Sequence, residues 1–258
     1  MKLTEITPII GKIPHMTKSD GELIYKMILE NDIFDILELG TAHGTGSCYM
    51  AAALDEKSKG SVITIDITSA LNRKPNIHEL LKKSDLERYV TPIFANSSYN
   101  WELMKLIDRQ TIDGFCEPIF DFCFIDGAHN FEIDCCAFHL VDKLLRPGGL
   151  ILFDDMNWTY ASSPSLKNTD WVKKMAKDEK ETPHIKKLVE LVALNHPNYV
   201  DANLLGDWFL IRKKTNINEK QHKSITLNQY KSETTLSNDL KEIARKFKNR
   251  LYTKINAT

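Results

Sequence analysis

The stretch ELGTAHGTG, from Glu38 to Gly46, decides the fold because it joins a short apolar run to a helical pattern. The preceding FDILEL predicts a buried strand, and the following SCYMAAALDEK predicts a helix. The glycine spacing, G-x-x-x-G-x-G, excludes both the G-x-G-x-x-G dinucleotide fingerprint and a G-x-x-x-x-G-K-S phosphate loop. These glycines still let a ligand lie against the backbone at the carboxyl end of a strand, where ligands bind in open α/β sheets.

Four further apolar runs alternate with helical patterns down to residue 155. They are predicted strands with the sequences SVITID, RYVTPIFA, PIFDFCFID and GLILFDD. The predicted helices comprise one after a cap at Ser19 or Asp20, NIHELLKKS, Trp101 to Arg109, and Phe131 to Leu145 with a stop at Arg146 to Gly149. Strands separated by helices imply a parallel sheet covered on both faces, and right-handed crossovers make it doubly wound.

The second half of the chain predicts additions to this sheet. Trp171 to Ala193 is mostly helical, and Tyr199 to Lys213 predicts a hairpin around Gly206-Asp207 that adds an antiparallel edge. We therefore expect a main domain over residues 1–214 and a basic arm and helix over residues 215–258. The apolar spacing from Leu240 to Leu251 is that of an amphipathic helix, which either docks or forms a homo-oligomer, or else meets an anionic partner or membrane surface.

Composition limits the classes of protein to consider. The chain has 258 residues and 42% apolar residues, and its net charge of −1 argues against general nucleic-acid binding. The last 47 residues carry 12 Lys/Arg against 4 Asp/Glu, a net of +8, whereas the remainder carries 22 against 31, a net of −9. Five cysteines without a Cys-x-x-Cys pair favour a reducing compartment. With no secretion signal or membrane span evident, we expect a cytoplasmic protein.

Carboxylates stand at the ends of three predicted strands. Asp66 follows the glycine loop by 20 residues and is suited to accept the two hydroxyls of a ribose, which predicts a nucleoside site. Asp126 ends the fourth strand, and Asp154 and Asp155 end the fifth, so three like charges converge at one edge of the sheet. Either protons, a buried base or a divalent cation such as Mg²⁺ offsets this repulsion, or one aspartate caps a turn and Asp126 meets the amino group of a ligand.

These motifs resemble a known family. LELGTAHGTG followed by VITIDI is similar to the first two motifs of the class I S-adenosylmethionine-dependent methyltransferases, and ANSS stands where that family holds adenine. The resemblance implies a Rossmann-like sheet of seven strands whose last strand is antiparallel. It also implies a cofactor site, closed over by Met16 and Thr17, at Glu38, Gly40, Thr41, Gly44, Gly46, Asp66, Asn96, Ser97 and Asp126.

A second resemblance concerns the reaction. FIDGAH and GGLILFDDMNW are similar to the metal-dependent O-methyltransferases of the catechol and caffeoyl-coenzyme A type, and I-D-G-x-H also resembles a bacterial subgroup. This likeness implies metal ligation by Asp126, Asp154 and Asp155. Asp155 departs from the Asn of that type but matches related sugar O-methyltransferases, so the substrate class is open.

His129 stands where the catechol-type enzymes keep a basic lysine, so the resemblance implies that His129, together with Asp126, is catalytic. The alternatives are a turn histidine, a residue stacked on the cofactor, or a metal ligand. Asn157 and Trp158 are expected to wall the acceptor pocket. The predicted function is methylation of a hydroxyl of a small molecule, such as a vicinal diol, phenol or sugar. A metal-free methyltransferase with His129 as base and a non-catalytic nucleoside-binding scaffold are the alternatives.

Overall fold

A computed structural model describes residues 1–215 of the chain. The predicted helix between Leu240 and Leu251, and the oligomer contact expected of it, lie outside the described residues. A seven-stranded sheet forms the centre of the described part. Its strands are β1 (Asp35–Leu39), β2 (Ser61–Ile67), β3 (Val90–Ala95), β4 (Phe120–Ile125), β5 (Leu145–Phe153), β6 (Tyr199–Leu205) and β7 (Trp208–Lys213).

The strand order is β3-β2-β1-β4-β5-β7-β6, with parallel pairing from β3 through β5. Strand β7 runs antiparallel to both β5 and β6. The predicted doubly wound fold and the hairpin around Gly206-Asp207 are therefore confirmed. The hairpin places its second strand against the sheet, so the antiparallel last strand lies one position inside the edge and β6 forms the edge itself.

Nine α-helices surround the sheet in the described residues, and their boundaries refine the predictions. They are α1 (Leu3–Ile10), α2 (Lys18–Glu30), α3 (Thr45–Lys57), α4 (Ile77–Ser84), α5 (Tyr99–Gln110), α6 (Phe131–Leu144), α7 (Asp170–Lys174), α8 (Lys177–Glu181) and α9 (His184–Leu191). Helix α1 was not predicted. The predicted cap of α2 at Ser19 or Asp20 is wrong, because Thr17 has the extended backbone of a cap and its hydroxyl accepts the Asp20 N–H.

The stop predicted at Arg146 to Gly149 lies inside β5, which begins at Leu145 directly after α6. The pairing of β4 with β5 shifts register between Phe120 and Phe122, so this Pro-Gly-Gly segment forms the irregular start of a strand. The prediction ended the helix correctly to within one residue. It did not foresee that the chain would enter the sheet without a loop.

Burial of the central strands fixes the position of the site. In β1, β4 and β5, every residue of the last four is buried, as expected for parallel strands covered on both faces. Residues of β4 and β5 pack with Phe138 and Val141 of α6 in one apolar core. The register pairs Leu39 with Ile125 and Ile125 with Phe153, so three strands end at the same level. Within the described chain, no helix is long and apolar enough to cross a membrane.

Candidate functional site

The sheet continues one residue beyond the ends of its three central strands. The Asp126 N–H donates to the Leu39 carbonyl at 2.8 Å, and the Asp154 N–H donates to the Ile125 carbonyl at 3.0 Å. These bonds align the backbones of Gly40, Asp126 and Asp154 at one edge, where a cavity of about 1050 Å³ opens. Nine residues singled out from the sequence line it: Met16, Thr17, Gly40, Asp66, Asp126, His129, Asp154, Asp155 and Trp158.

The glycines of the loop are required by close packing. Gly40 has a φ of 104°, and a Cβ there would lie 2.0 Å from the Asp126 carbonyl oxygen. Gly44 has a φ of 92° at the start of α3, and its Cβ would lie 2.7 Å from Ile77. Gly40 lines the cavity, whereas Gly44 and Gly46 do not. The loop can therefore press against the strand ends and leave its backbone facing the cavity.

Asp66 fastens this loop and also lines the cavity. Its Oδ2 accepts the N–H groups of Thr41 at 2.9 Å and Ala42 at 2.8 Å, and its Oδ1 accepts the Ile67 N–H at 2.6 Å. A carboxylate oxygen has more than one acceptor direction, so these bonds leave capacity for the hydroxyls of a ribose. The role predicted for Asp66 as a ribose acceptor is compatible with this geometry.

The side chains of Glu38 and Thr41 are buried at the start of the loop. The Glu38 carboxyl is 1% exposed and accepts a hydrogen bond from the Ser47 hydroxyl, while the Thr41 hydroxyl pairs with that of Thr64. Burial raises the pKa of Glu38 to about 8, although its hydrogen bonds oppose the shift. Neither side chain reaches the cavity surface, so the structure gives both residues a supporting position.

Asn96 and Ser97 follow β3 and are exposed. The Asn96 Oδ1 lies 3.1 Å from the Thr68 hydroxyl, which also donates to the Ala95 carbonyl. Neither Asn96 nor Ser97 lines the cavity, although Ile67, Ser69 and Ala70 of the adjoining segment do. Their assignment to the adenine stays a prediction.

The centre of the site is a cluster of Asp126, His129 and Asp155. The His129 Nε2 lies 3.4 Å from the Asp126 Oδ1 and 3.0 Å from the Asp155 Oδ2. One ligand atom from each of the three residues lies within 4.8 Å of the others. Asp154 is not a member of this group. The sequence predicted three aspartates, and the structure gathers two aspartates and a histidine, with Asp154 beside them in the cavity lining.

Two members of the cluster have a left-handed backbone, with φ of 51° at His129 and 58° at Asp155. Such values are uncommon for residues other than glycine and concentrate at functional sites. At Asp155 the turn separates two adjacent aspartates, and the Asp155 N–H donates to the Asp154 Oδ1 at 2.6 Å. This turn lets Asp155 point toward His129 instead of following the strand.

Burial and mutual proximity shift the pKa values of these groups. Burial raises the pKa of Asp154 to about 9, and the carboxylates of Asp126 and Asp155 add to that shift. Burial also raises the pKa of Asp126 to about 6, against the lowering effect of His129. Burial lowers the pKa of His129, but Asp126 and Asp155 outweigh it and bring the value to about 10. The cluster therefore attracts positive charge, either a proton or a cation.

A buried pair that the sequence did not reveal supports the loop around His129. The Tyr99 hydroxyl donates to Asp134 Oδ1, while Asp134 Oδ2 accepts the Asn130 N–H at 2.8 Å. The Ala128 N–H donates to the Tyr99 oxygen at 3.3 Å. Both neighbours of His129 are thus tied to one Tyr99–Asp134 pair. An apolar-face pattern on α5 and α6 gives no sign of this bond, because its partners lie 35 residues apart.

Asn157 and Trp158, the predicted acceptor residues, differ in position. The Trp158 ring lies 5.0 Å from the His129 ring and lines the cavity. Asn157 does not line it, because its N–H and its Nδ2 both donate to the Asp207 Oδ1, at 2.9 and 2.6 Å. The sequence did not identify Asp207 as a site residue, since Gly206-Asp207 was interpreted as a turn. Leu205 was also missed, whereas Ser163, Pro164, Ser165 and Leu166 lie in the region from Trp158 to Pro197 that the sequence predicts to shape the acceptor pocket.

Comparison with known proteins gives the class. Residues 37–156 match the family model described as a methyltransferase domain. No curated protein matches the sequence. The solved structures that it resembles include an O-methyltransferase from Bacillus cereus in complex with S-adenosylhomocysteine (SAH), at 20% identity and a TM-score of 0.57, over 82% of this chain and 90% of that one.

Two further solved structures show the same fold, with similar sequence identities and TM-scores. The O-methyltransferase TomG from Streptomyces achromogenes, in complex with S-adenosylmethionine, is 19% identical with a TM-score of 0.55, over 83% of this chain and 89% of that one. MycE from the mycinamycin biosynthetic pathway, in complex with Mg, SAH and mycinamycin VI, is 18% identical with a TM-score of 0.54, over 86% of this chain and 57% of that one.

The seven-stranded order, with its antiparallel last strand, is the Rossmann-like fold of the methyltransferases. The methyltransferase domain model matches residues 37–156, and the predicted resemblance to S-adenosylmethionine-dependent methyltransferases is confirmed.

Proposed function

We propose that the protein transfers the methyl group of S-adenosylmethionine to a hydroxyl of a small molecule, with help from a divalent cation. The observation that carries this proposal is the Asp126–His129–Asp155 cluster in the cavity of a methyltransferase domain. The O-methyltransferases of similar fold, and the MycE complex with Mg, support the choice of a hydroxyl and a cation.

The donor set fits a cation. The His129 Nε2 is buried and makes no aligned hydrogen bond with the described residues, although two carboxylate oxygens lie 3.0 and 3.4 Å away. Ligands of one octahedral Mg²⁺ or Mn²⁺ lie about 3 Å apart when adjacent, because each metal–ligand bond is near 2.1 Å. The three donor atoms therefore have the spacing of a shared coordination sphere. An imidazole nitrogen among them favours Mn²⁺ or a later transition ion more than an all-oxygen set would.

The proposed chemistry divides between the cofactor and the chain. The sulfonium is already activated, so the chain has to align an acceptor oxygen with the methyl group and let the hydroxyl lose its proton. When bound, a divalent cation would lower the pKa of a coordinated hydroxyl. Gly40 and Asp66 offer the surface for the cofactor, and Trp158 offers an aromatic wall for the acceptor.

We assign His129 to ligation instead of proton transfer. Its Nε2 lies 3.4 and 3.0 Å from the Asp126 and Asp155 oxygens, which is the spacing of donors that share a cation, and a nitrogen bound to a cation cannot accept a proton. The metal-free mechanism with His129 as base is therefore the weaker proposal. Burial, and then the nearby Asp126 and Asp155 carboxylates, raise the pKa of the adjacent Asp154 to about 9.

The experiment measures transfer of labelled methyl groups from S-adenosylmethionine to a panel of catechols, phenols and sugars, with Mg²⁺, Mn²⁺ or EDTA. We expect turnover that EDTA abolishes and a divalent ion restores. The same assay is run on Asp155→Ala, which removes one proposed ligand and should lose turnover. Asp108→Asn, which changes an exposed aspartate on α5, is the control and should keep it. Equal turnover with EDTA would reject the cation, and failure to bind SAH would favour a non-catalytic scaffold.

The cellular compartment and the type of acceptor are also proposals. The five cysteines are unpaired, which supports a reducing, cytoplasmic setting. We propose a small-molecule acceptor and no nucleic-acid partner, because Arg73 is the one lysine or arginine among the described residues lining the cavity.

A further inference from the structure

We infer that the acceptor side of the cavity selects neutral or cationic hydroxyl compounds against anionic ones, and that Asp207 of the β6–β7 turn is the selecting residue. The inference rests on the proposed function, because it concerns the acceptor of that reaction. It separates two classes of acceptor that the resemblance left together, since a caffeoyl-coenzyme A type acceptor is a polyanion and a sugar or simple diol is not.

The charge of the lining is the first observation. Six aspartates line the cavity: Asp20, Asp66, Asp126, Asp154, Asp155 and Asp207. Arg73 opposes them, and it follows β2, on the side of Asp66, where its guanidinium lies 3.0 Å from the His15 Nε2. A divalent cation and the sulfonium cofactor would together add about three positive charges. Even with Asp154 protonated, five carboxylates against Arg73 and these three charges leave a net charge of about −1, so a phosphate or carboxylate on the acceptor meets repulsion.

The placement of Asp207 is the second observation. The acceptor side consists of Trp158, the segment 163–166 and the turn at residues 205–208, and the described residues of that wall include no lysine or arginine. The Asp207 Oδ1 accepts both bonds from Asn157, and the Asp207 carbonyl accepts the Met156 N–H at 3.0 Å. Asp207 is therefore held against the segment that directly follows Asp155. A fixed carboxylate has a larger effect on a ligand than a mobile one.

The second oxygen of this carboxylate has room to meet a ligand. Oδ2 of Asp207 accepts no hydrogen bond from the described residues, and the residue is exposed at the turn. Gly206 has a φ of 67° and nothing within 4 Å of the position of a Cβ, so the turn borders open space. An ammonium group on an acceptor would find a partner here. A carboxylate at the same position would meet a like charge.

The size of the effect follows from Coulomb's law. For two unit charges ~7 Å apart in bulk water, the interaction energy differs by ~1 kcal/mol between attraction and repulsion. This energy corresponds to a ~3- to 10-fold difference in affinity between a cationic and an anionic ligand. Salt shortens the range of this interaction, so the preference should weaken as ionic strength rises.

Three catechols with the same reactive diol provide the test: 4-ethylcatechol, 3,4-dihydroxyphenethylamine and 3,4-dihydroxyphenylacetate. Their affinities for the protein saturated with Mn²⁺ and SAH are measured by calorimetry, and their kcat/KM values are measured with S-adenosylmethionine. We expect the anionic compound to bind at least ~10-fold more weakly than the neutral one, and the amine to bind as well or better.

Asp207→Asn is the diagnostic variant, because its amide oxygen can still accept both Asn157 bonds while the charge is removed. It should reduce the ratio of amine affinity to acid affinity by ~3-fold or more. Asp108→Asn should have the same relative affinities for the three catechols as the wild-type protein.

Equal affinity for the acid and the neutral compound, an unchanged ratio of amine to acid affinity in Asp207→Asn, or no binding of any of the three would overturn the inference. Binding in the expected order without methyl transfer would instead reject the proposed reaction and leave the charge selection standing. Methyl transfer without the expected order of affinities would reject the charge selection and leave the proposed reaction standing.

Discussion

The Oδ2 of Asp155 lies 3.0 Å from the Nε2 of His129, and this contact joins the end of β5 to the loop that follows β4. Both residues have a left-handed backbone, which turns their side chains toward each other above the strand ends. Asp126 completes the group from the end of β4. We therefore place the reaction centre between these two strands, at the edge of the cofactor loop.

Changes at Asp155 should separate a ligand role from a purely electrostatic one. Asp155→Asn keeps a hard oxygen donor, and the catechol-type enzymes have Asn at this position, so we expect Mn²⁺ affinity to fall by only ~3- to 10-fold. Asp155→Ala removes the donor and should lower it by more than ~100-fold. Calorimetric titration of each variant with Mn²⁺ measures this. Equal losses in both variants would show that the charge alone matters.

The Tyr99–Asp134 pair should control the loop that carries His129. Tyr99→Phe leaves the Asp134 carboxylate and the Ala128 N–H without their buried partner, which should cost about 1–3 kcal/mol in the free energy of unfolding. We also expect weaker Mn²⁺ binding, because the loop that this pair supports carries His129. SAH binding should be unchanged, because the pair's hydrogen bonds within the described residues do not reach the glycine loop. Thermal unfolding and calorimetry measure the two effects.

Tyr89→Phe, in a half-buried tyrosine after α4, serves as the control for this variant. A loss of stability in Tyr99→Phe with normal Mn²⁺ affinity would mean that the pair stabilises the fold without positioning His129.

Two glycines with positive φ allow steric crowding to be distinguished from backbone strain. Gly40 and Gly114 have φ of 104° and 82°, but a Cβ at Gly40 would lie 2.0 Å from the Asp126 carbonyl oxygen, whereas Gly114 has nothing within 4 Å. Gly114→Ala should cost about 1 kcal/mol. Gly40→Ala should cost at least ~3 kcal/mol, or prevent folding, because two backbones must separate. Similar melting temperatures for the two variants would contradict the proposed packing of the loop on the strand.

The buried Glu38 should make stability depend on pH. Its pKa in the folded protein is about 8, above the unfolded value near 4.5, so the folded state holds the proton more tightly. Stability is therefore present at low pH and lost as pH rises from the unfolded pKa to about 8, by about 1.4 kcal/mol per pH unit at most. Glu38→Gln cannot ionise, so its stability relative to wild type should increase between pH 5 and pH 9. Chemical denaturation at several pH values measures the difference, and a constant difference would refute the assignment.

Much of the fold was predictable because parallel strands buried on both faces have nearly continuous apolar sequences. FDILEL, SVITID and PIFDFCFID each became a strand within two residues of the predicted bounds, and the turn at Gly206-Asp207 was placed correctly. The last strand's position inside the edge was not predictable from periodicity, since either strand of a hairpin can pair with the sheet.

The site was predictable only in part. Strand ends marked by Asp66 and Asp126 meet the cavity as expected, because residues at the ends of parallel strands share one edge. The exchange of Asp154 for His129 in the cluster depends on two left-handed residues, whose backbone angles a residue pattern does not reveal. Asp207 was missed for a related reason: its contact with Asn157 joins segments 50 residues apart.

The central claim is that Asp126, His129 and Asp155 hold a cation in the cofactor cavity. Electron spin echo spectroscopy of Mn²⁺ in the SAH-bound protein tests it most directly, because a coordinated imidazole gives a nitrogen modulation. We predict one such modulation in the wild-type protein and in Asp108→Asn, and its loss in His129→Gln. Absence of protein-bound Mn²⁺, or a nitrogen modulation that persists in His129→Gln, would contradict the claim.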